Sequence, residues 1–110
     1  VVACDIHPLN NLRILKYLTR DLGLNEQTKD RWIHEWILQG FDALEAMAGE
    51  GHYLGGDAPG IADCCLVPQM YNARRFEVPI DHYPRLIEID ATCMELEAFQ
   101  SAHPDAVKAA

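Results

Sequence analysis

The sequence predicts an all-α fold, a bundle of about five helices, on three observations. Apolar residues recur at three- and four-residue steps through most of the chain. Glycine and proline cluster between these stretches, and no segment alternates apolar with polar residues as a half-buried strand does. The length, 110 residues, suits one domain that buries roughly two-thirds of its unfolded surface.

The first helical pattern runs from about Pro8 to Asp21, with Leu9, Leu12, Leu15, Leu18 and Leu22 in register. Pro8 lacks a backbone donor and disfavours helical geometry at His7, so a start or a kink is expected there. Gly23 supplies the stop. A second helix spans about Glu26 to Ala48, where Ile33, Ile37, Gly40, Phe41, Leu44 and Met47 make one face, widened by Trp32 and Trp36. Glycine inside a helix costs up to about 1 kcal/mol, so Gly40 on the apolar face predicts close approach of another helix. Residues 49–60 hold five glycines and one proline and read as a loop, with Tyr53 and Leu54 as anchors.

The stretch from Gly60 to Phe76 reads as a helix with almost no polar face, which must be buried among other helices. Val78-Pro79 and Tyr83-Pro84 punctuate a turn before a helix near Pro84–Cys93 with Leu86, Ile87 and Ile89. A short final helix holds Leu96 and Phe99, and the tail from His103 is expected to be loosely held.

Composition narrows the function classes. A formal net charge of −8 argues against a nucleic-acid backbone or an anionic membrane as partner. No apolar run approaches the roughly 20 residues of a membrane span, and no signal-peptide pattern opens the chain. Cys4, Cys64, Cys65 and Cys93 lack metal or redox spacing and are expected as reduced thiols, mostly core filler, in the cytosol.

Three groups of polar residues need an account. Asp63 stands three positions after Gly60, the expected cap, where an acid reaches back to the cap N–H and complements the helix dipole; it is read as structural. Pro68 removes the hydrogen bond to the Cys64 carbonyl and is read first as a simple kink, or else as one that opens space beside Tyr71 and Arg75, one turn apart on one face. Arg74 and Arg75 point in different directions, so one can be solvated while the other turns inward, and an inward guanidinium suits a carboxylate. Finally, His7, Asn11 and Arg13 offer imidazole, amide and guanidinium donors at one helix beginning, either an ordinary polar start or a place for an anion. Cys4 with His7 is half a metal site without a second half, so no metal is expected. The remaining histidines stand singly. From its residues alone the chain has two candidate anion-binding spots and no self-contained active site.

Asp5-Ile6-His7-Pro8-Leu9-Asn10-Asn11-Leu12-Arg13 and Ala62-Asp63-Cys64-Cys65-Leu66-Val67-Pro68-Gln69, followed by Asn72-Ala73-Arg74-Arg75-Phe76, resemble the zeta class of glutathione transferases. That class includes the maleylacetoacetate and maleylpyruvate isomerases. The resemblance runs from Cys4 to about Pro104 and implies a glutathione transferase C-terminal-like helical bundle. It also implies that a thioredoxin-like α/β domain, which activates the glutathione thiol, is absent from residues 1–110, and that these residues alone are inactive.

By position, the resemblance makes His7, Asn11, Leu12 and Arg13 glutathione-binding residues. It makes Arg75 the holder of the substrate carboxylate, with Tyr71 beside it, and leaves no catalytic residue in this chain. Gly60 stands where the class usually has Ser or Thr, a change that costs only a few tenths of a kcal/mol. The implied reaction is cis–trans isomerisation of a small anionic unsaturated keto acid, with glutathione as covalent catalyst, in a cytoplasmic homodimer. A non-catalytic interaction module of the same fold is the alternative.

Overall fold

Helix starts and stops in this chain are decided by where the free N–H and C=O groups of each terminal turn find partners. In the computed structural model, which describes residues 1–109, the N-terminal region is helical in four short pieces. A π-helical turn, Val2–Ile6, leads into α1 (His7–Asn10), and α2 (Leu12–Lys16) leads into a second π-helical turn, Tyr17–Asp21. The single helix expected from Pro8 to Asp21 is therefore corrected twice. Helical geometry begins six residues earlier, at Val2, and the break falls at Asn11 rather than Pro8. Pro8 sits in the first turn of α1, where a missing N–H leaves nothing unsatisfied. Asn11 breaks the helix because its backbone turns extended, with ψ at 163°, and its Oδ1 accepts the Ile14 N–H at 3.1 Å. Gly23 makes the expected stop at a φ of 68°, with the Leu24 N–H on the Leu18 carbonyl.

The second helix, α3 (Glu26–Met47), is capped by Asn25, whose Oδ1 accepts from the Thr28 N–H at 2.8 Å. Ile33, Ile37, Gly40, Phe41 and Leu44 are buried as their spacing requires, but Met47 is exposed at the frayed end. The role of Gly40 is specific. A Cβ there would collide with the Ile6 side chain, so the missing methyl admits the first π-helical turn to the core. Trp32 and Trp36 meet edge to face at 5.6 Å and cover the flank, and the Trp32 indole N–H donates to the Leu9 carbonyl at 2.8 Å.

Three further helices complete the core: α4 (Ile61–Arg75), α5 (Pro84–Met94) and α6 (Glu97–Ala102). Leu66, Met70, Leu86 and Ile89 close on Phe41 and Ile37 with no side-chain exposure beyond a trace. The start of α5 is capped from a distance: the Glu45 carboxylate on α3 accepts the Arg85 and Leu86 N–H groups at 2.8 and 3.0 Å. Tyr83 stacks edge to face on Phe41 and donates its hydroxyl to Asp42 at 2.6 Å. Burial, and then that carboxylate, push its phenol well above the ordinary range. Tyr53 and Leu54 anchor the glycine-rich loop against the core, as expected.

The tail differs from expectation. A further helix, α7 (Pro104–Ala109), follows α6, and His103 is not loose: its ring packs edge to face on Tyr71 at 5.5 Å. Six residues are too few to show a period, but His103 turns extended before Pro104 and its Nδ1 accepts the Asp105 N–H. The cysteines also differ. Only Cys93 is fully buried; Cys65 is half-buried, and Cys4 and Cys64 are exposed. No strand occurs among the described residues, beyond an isolated bridge between Tyr53 and Gly56.

Candidate substrate-binding helix

Helix α4 carries the candidate site, and its beginning is built for rigidity. The Asp63 side chain is fully buried; its Oδ2 accepts the Gly60 N–H at 2.8 Å and its Oδ1 the Leu54 N–H at 3.0 Å. Gly60 has no side-chain oxygen, so the acid supplies the whole cap and also ties down the preceding loop. Asp63 and Gly60 are thus structural in geometry as well as in spacing.

Below the cap the helix departs from its expected burial. Leu66, Gln69, Met70 and Ala73 face the core, whereas Ile61, Cys64 and Pro68 are exposed. The core-facing stripe of α4 packs on the first π-helical turn, α3 and α5, while the opposite stripe looks outward beside α6 and His103 without packing closely on them. Cys64, Pro68 and Tyr71 there form one wall of an apolar cavity of about 460 Å³, with Phe99 and His103 on the other.

The two arginines at the end of α4 divide as different directions require. Arg74 reaches across to α5 and donates to Asp90 Oδ2 at 2.7 Å. Asp90 is 6 % exposed, so its charge depends on that partner. Arg75 is exposed and makes no ion pair among the described residues; its guanidinium lies 5.3 Å from the centre of the Phe76 ring. Neither arginine turns inward, contrary to expectation: Arg74 is half exposed and paired with Asp90, and Arg75 is exposed and unpaired among the described residues.

The helix ends in a Schellman arrangement, with the Glu77 N–H on the Arg74 carbonyl and the Val78 N–H on the Ala73 carbonyl. Glu77 occupies the left-handed position usually given to glycine, with a φ of 57°. The Phe76 carbonyl is left over by that pattern, and the imidazole of His34 on α3 takes it at 2.8 Å.

The N-terminal cluster is brought together only in part. His7 is exposed at the head of α1, with its Nδ1 3.5 Å from the Gln69 amide of α4. Asn11 spends its side-chain oxygen on capping α2, so it serves the structure first. Leu12 and Arg13 are exposed, and Arg13 has no acidic partner among the described residues. The extended backbone at Asn11 puts His7 and Arg13 on separate helices, so they do not share one helical face. Among the described residues no three metal-ligating side chains gather.

Sequence reasoning missed four polar residues around these groups: His34, Gln69, Asp90 and His103. Gln69 and Asp90 carried a signal, since both fall on the buried stripe of their helices at the spacing of Leu66–Met70 and Leu86–Ile89. His34 and His103 carried none, because their partners lie 42 and 32 positions away in sequence.

The fold and these positions can be set beside known proteins. Residues 16–104 match the family described as glutathione S-transferase, C-terminal domain. The chain belongs to this family. It is 48 % identical over 110 residues to a maleylpyruvate isomerase of a Ralstonia species, covering 96 % of this chain and 52 % of that protein. A solved holo maleylpyruvate isomerase, described as a bacterial zeta-class glutathione S-transferase, superposes with a TM-score of 0.92 at 49 % identity, over 96 % of this chain and 51 % of that one. A maleylacetoacetate isomerase of Anaeromyxobacter dehalogenans, solved with glutathione in its active site, gives 0.86 at 39 % identity, over 96 % and 48 %. The chain spans about half the length of the curated relatives it matches. The glutathione S-transferase fold is thereby established for this helical domain, and the similarity to the zeta class agrees with the motifs in α1 and α4.

Proposed function

We propose that this chain is the substrate-holding helical half of a glutathione-dependent cis–trans isomerase acting on a maleylacetoacetate- or maleylpyruvate-like acid. The carrying observation is the division at the end of α4: Arg74 is committed to Asp90, while Arg75 stands exposed and unpaired one turn beyond Tyr71. An exposed guanidinium in that position can grip a carboxylate through two parallel hydrogen bonds and hold it in one orientation. Tyr71, half-buried between Arg75 and the apolar cavity, borders the unsaturated part of such a substrate.

The residues at the other spot fit glutathione, a peptide with two carboxylates. Arg13 offers an unpaired cation and His7 a ring nitrogen beyond the one near Gln69, while exposed Leu12 offers apolar contact. Asn11 would act through its amide group and by shaping the turn between α1 and α2. When bound, glutathione supplies a thiol that adds reversibly to a cis double bond, leaving a single bond free to rotate. The proposal assigns the activation of that thiol to a thioredoxin-like half, in line with the similarity to the zeta class. The exposed apolar stripe of α4 supports such a second half, since it leaves one wall of the cavity open. The proposal includes a cytosolic homodimer of the whole protein, which rests on the similarity to the zeta class.

The test is an assay of the full gene product that carries these residues. It should isomerise maleylpyruvate or maleylacetoacetate only when glutathione is present, whereas residues 1–110 alone should fold and show no turnover. Turnover by residues 1–110 alone, or an inert full gene product, would contradict the proposal.

A further inference from the structure

His34 stands on α3, half-buried, with its Nε2 2.8 Å from the Phe76 carbonyl at the end of α4. A carbonyl only accepts, so Nε2 carries the proton and donates. That contact is placed where the helix end has least support. The Schellman pattern satisfies the Ala73 and Arg74 carbonyls but leaves that of Phe76 free. Glu77, the next residue, holds a left-handed φ of 57° that a non-glycine residue adopts only when its surroundings impose it. Phe76 is also the residue whose ring lies under the Arg75 guanidinium. The hydrogen bond from α3 thus joins the Glu77 N–H bond to Arg74 in holding the peptide beside the platform for Arg75, and is its one side-chain tie to another helix among the described residues.

We infer that His34 is a positioning residue for Arg75: by holding the Phe76 carbonyl it sets the direction in which the guanidinium meets a substrate carboxylate. The inference rests on the reading of Arg75 given above. Among the described residues no other α3 side chain bonds the Phe76 carbonyl. Glu35 accepts from Gln39 at 2.7 Å on the exposed face, and Asp42 and Glu45 serve Tyr83 and α5. The adjacent Arg74 is held independently by Asp90, so loss of His34 frees Arg75 without freeing its neighbour.

The test is a double-mutant cycle in the full gene product, with maleylpyruvate as the probe substrate and glutathione saturating. His34→Ala should raise the KM for maleylpyruvate about 3- to 10-fold, the worth of one hydrogen bond, and leave the KM for glutathione unchanged. His34→Gln, whose amide reaches the same carbonyl, should restore the KM to within about twofold of the parent. In an Arg75→Ala background His34→Ala should change nothing further. Equal effects of His34→Ala in both backgrounds, an equal rise in the glutathione KM, or no rescue by His34→Gln would overturn the inference. Should His34→Ala not fold, His34→Asn, whose shorter amide falls short of the carbonyl, takes its place in the cycle. If Arg75→Ala raises the KM but His34→Ala does not, the positioning role alone falls. If Arg75→Ala leaves the KM unchanged, both readings fall together.

Discussion

Asp63, Glu77 and Cys93 show how single side chains hold the site in place. Asp63 is a buried carboxylate whose two oxygens each accept a backbone N–H, one from its own helix and one from the loop before it. Asp63→Ala removes both bonds, and the domain should lose about 2–3 kcal/mol of stability, measured by urea denaturation. Glu77 sits at a left-handed φ, so Glu77→Gly should stabilise by about 0.5–1 kcal/mol, with glycine's larger unfolded-state freedom offsetting part of the gain. Burial, then the neighbouring Asp63 and Asp90, push the Cys93 thiol up to about 11. Because the folded state disfavours the thiolate, the contribution is fully present below about pH 9 and is lost as the pH rises towards 11. Cys93→Ala should flatten the stability profile between pH 9 and 11, and a thiol reagent at pH 8 should label Cys4 and Cys64 but spare Cys93.

At the scale of elements, sequence and structure agree wherever a helix is long enough to repeat its own pattern. The spans of α3, α4 and α5 fall within a residue or two of those read from apolar spacing, because each has a stripe facing the same core. The N-terminal region was not legible in the same way. Its apolar residues repeat, but the two π-helical turns pack on α3, with Ile6 against Gly40, and the break at Asn11 is a local cap inside an otherwise continuous pattern. That contact yields a prediction: Gly40→Ala forces a methyl into Ile6 and should cost about 1–3 kcal/mol, far beyond the helix-propensity gain of alanine. The last helix, α7, was not legible because six residues show no period. The candidate site divides likewise. Tyr71 and Asp63 stood out by spacing along one helix, but spacing left Arg74 and Arg75 undecided and only the resemblance chose Arg75; the pairing that leaves Arg75 free depends on Asp90, 16 positions from Arg74 on another helix.

At the scale of the whole molecule, the helical domain presents one packed side and one exposed apolar side. The packed side is the core of α3, α4 and α5; the exposed side is the stripe of Ile61, Cys64 and Pro68, with the cavity beside it. The relatives are about twice as long as this chain, and the proposal sets a second half against that stripe. The proposal then makes a division of labour between neighbours in sequence: Arg74 for the fold and Arg75 for the substrate. The most direct measurement compares Arg74→Ala with Arg75→Ala in the full gene product, by thermal melting and by steady-state kinetics on maleylpyruvate. Arg75→Ala should leave the Tm within a degree or so of the parent and lower kcat/KM about 10- to 100-fold, the worth of a charged hydrogen-bonded pair. Arg74→Ala should lower the Tm by several degrees, since it leaves Asp90 buried without its partner. An Arg75→Ala enzyme with unchanged kcat/KM would contradict the account.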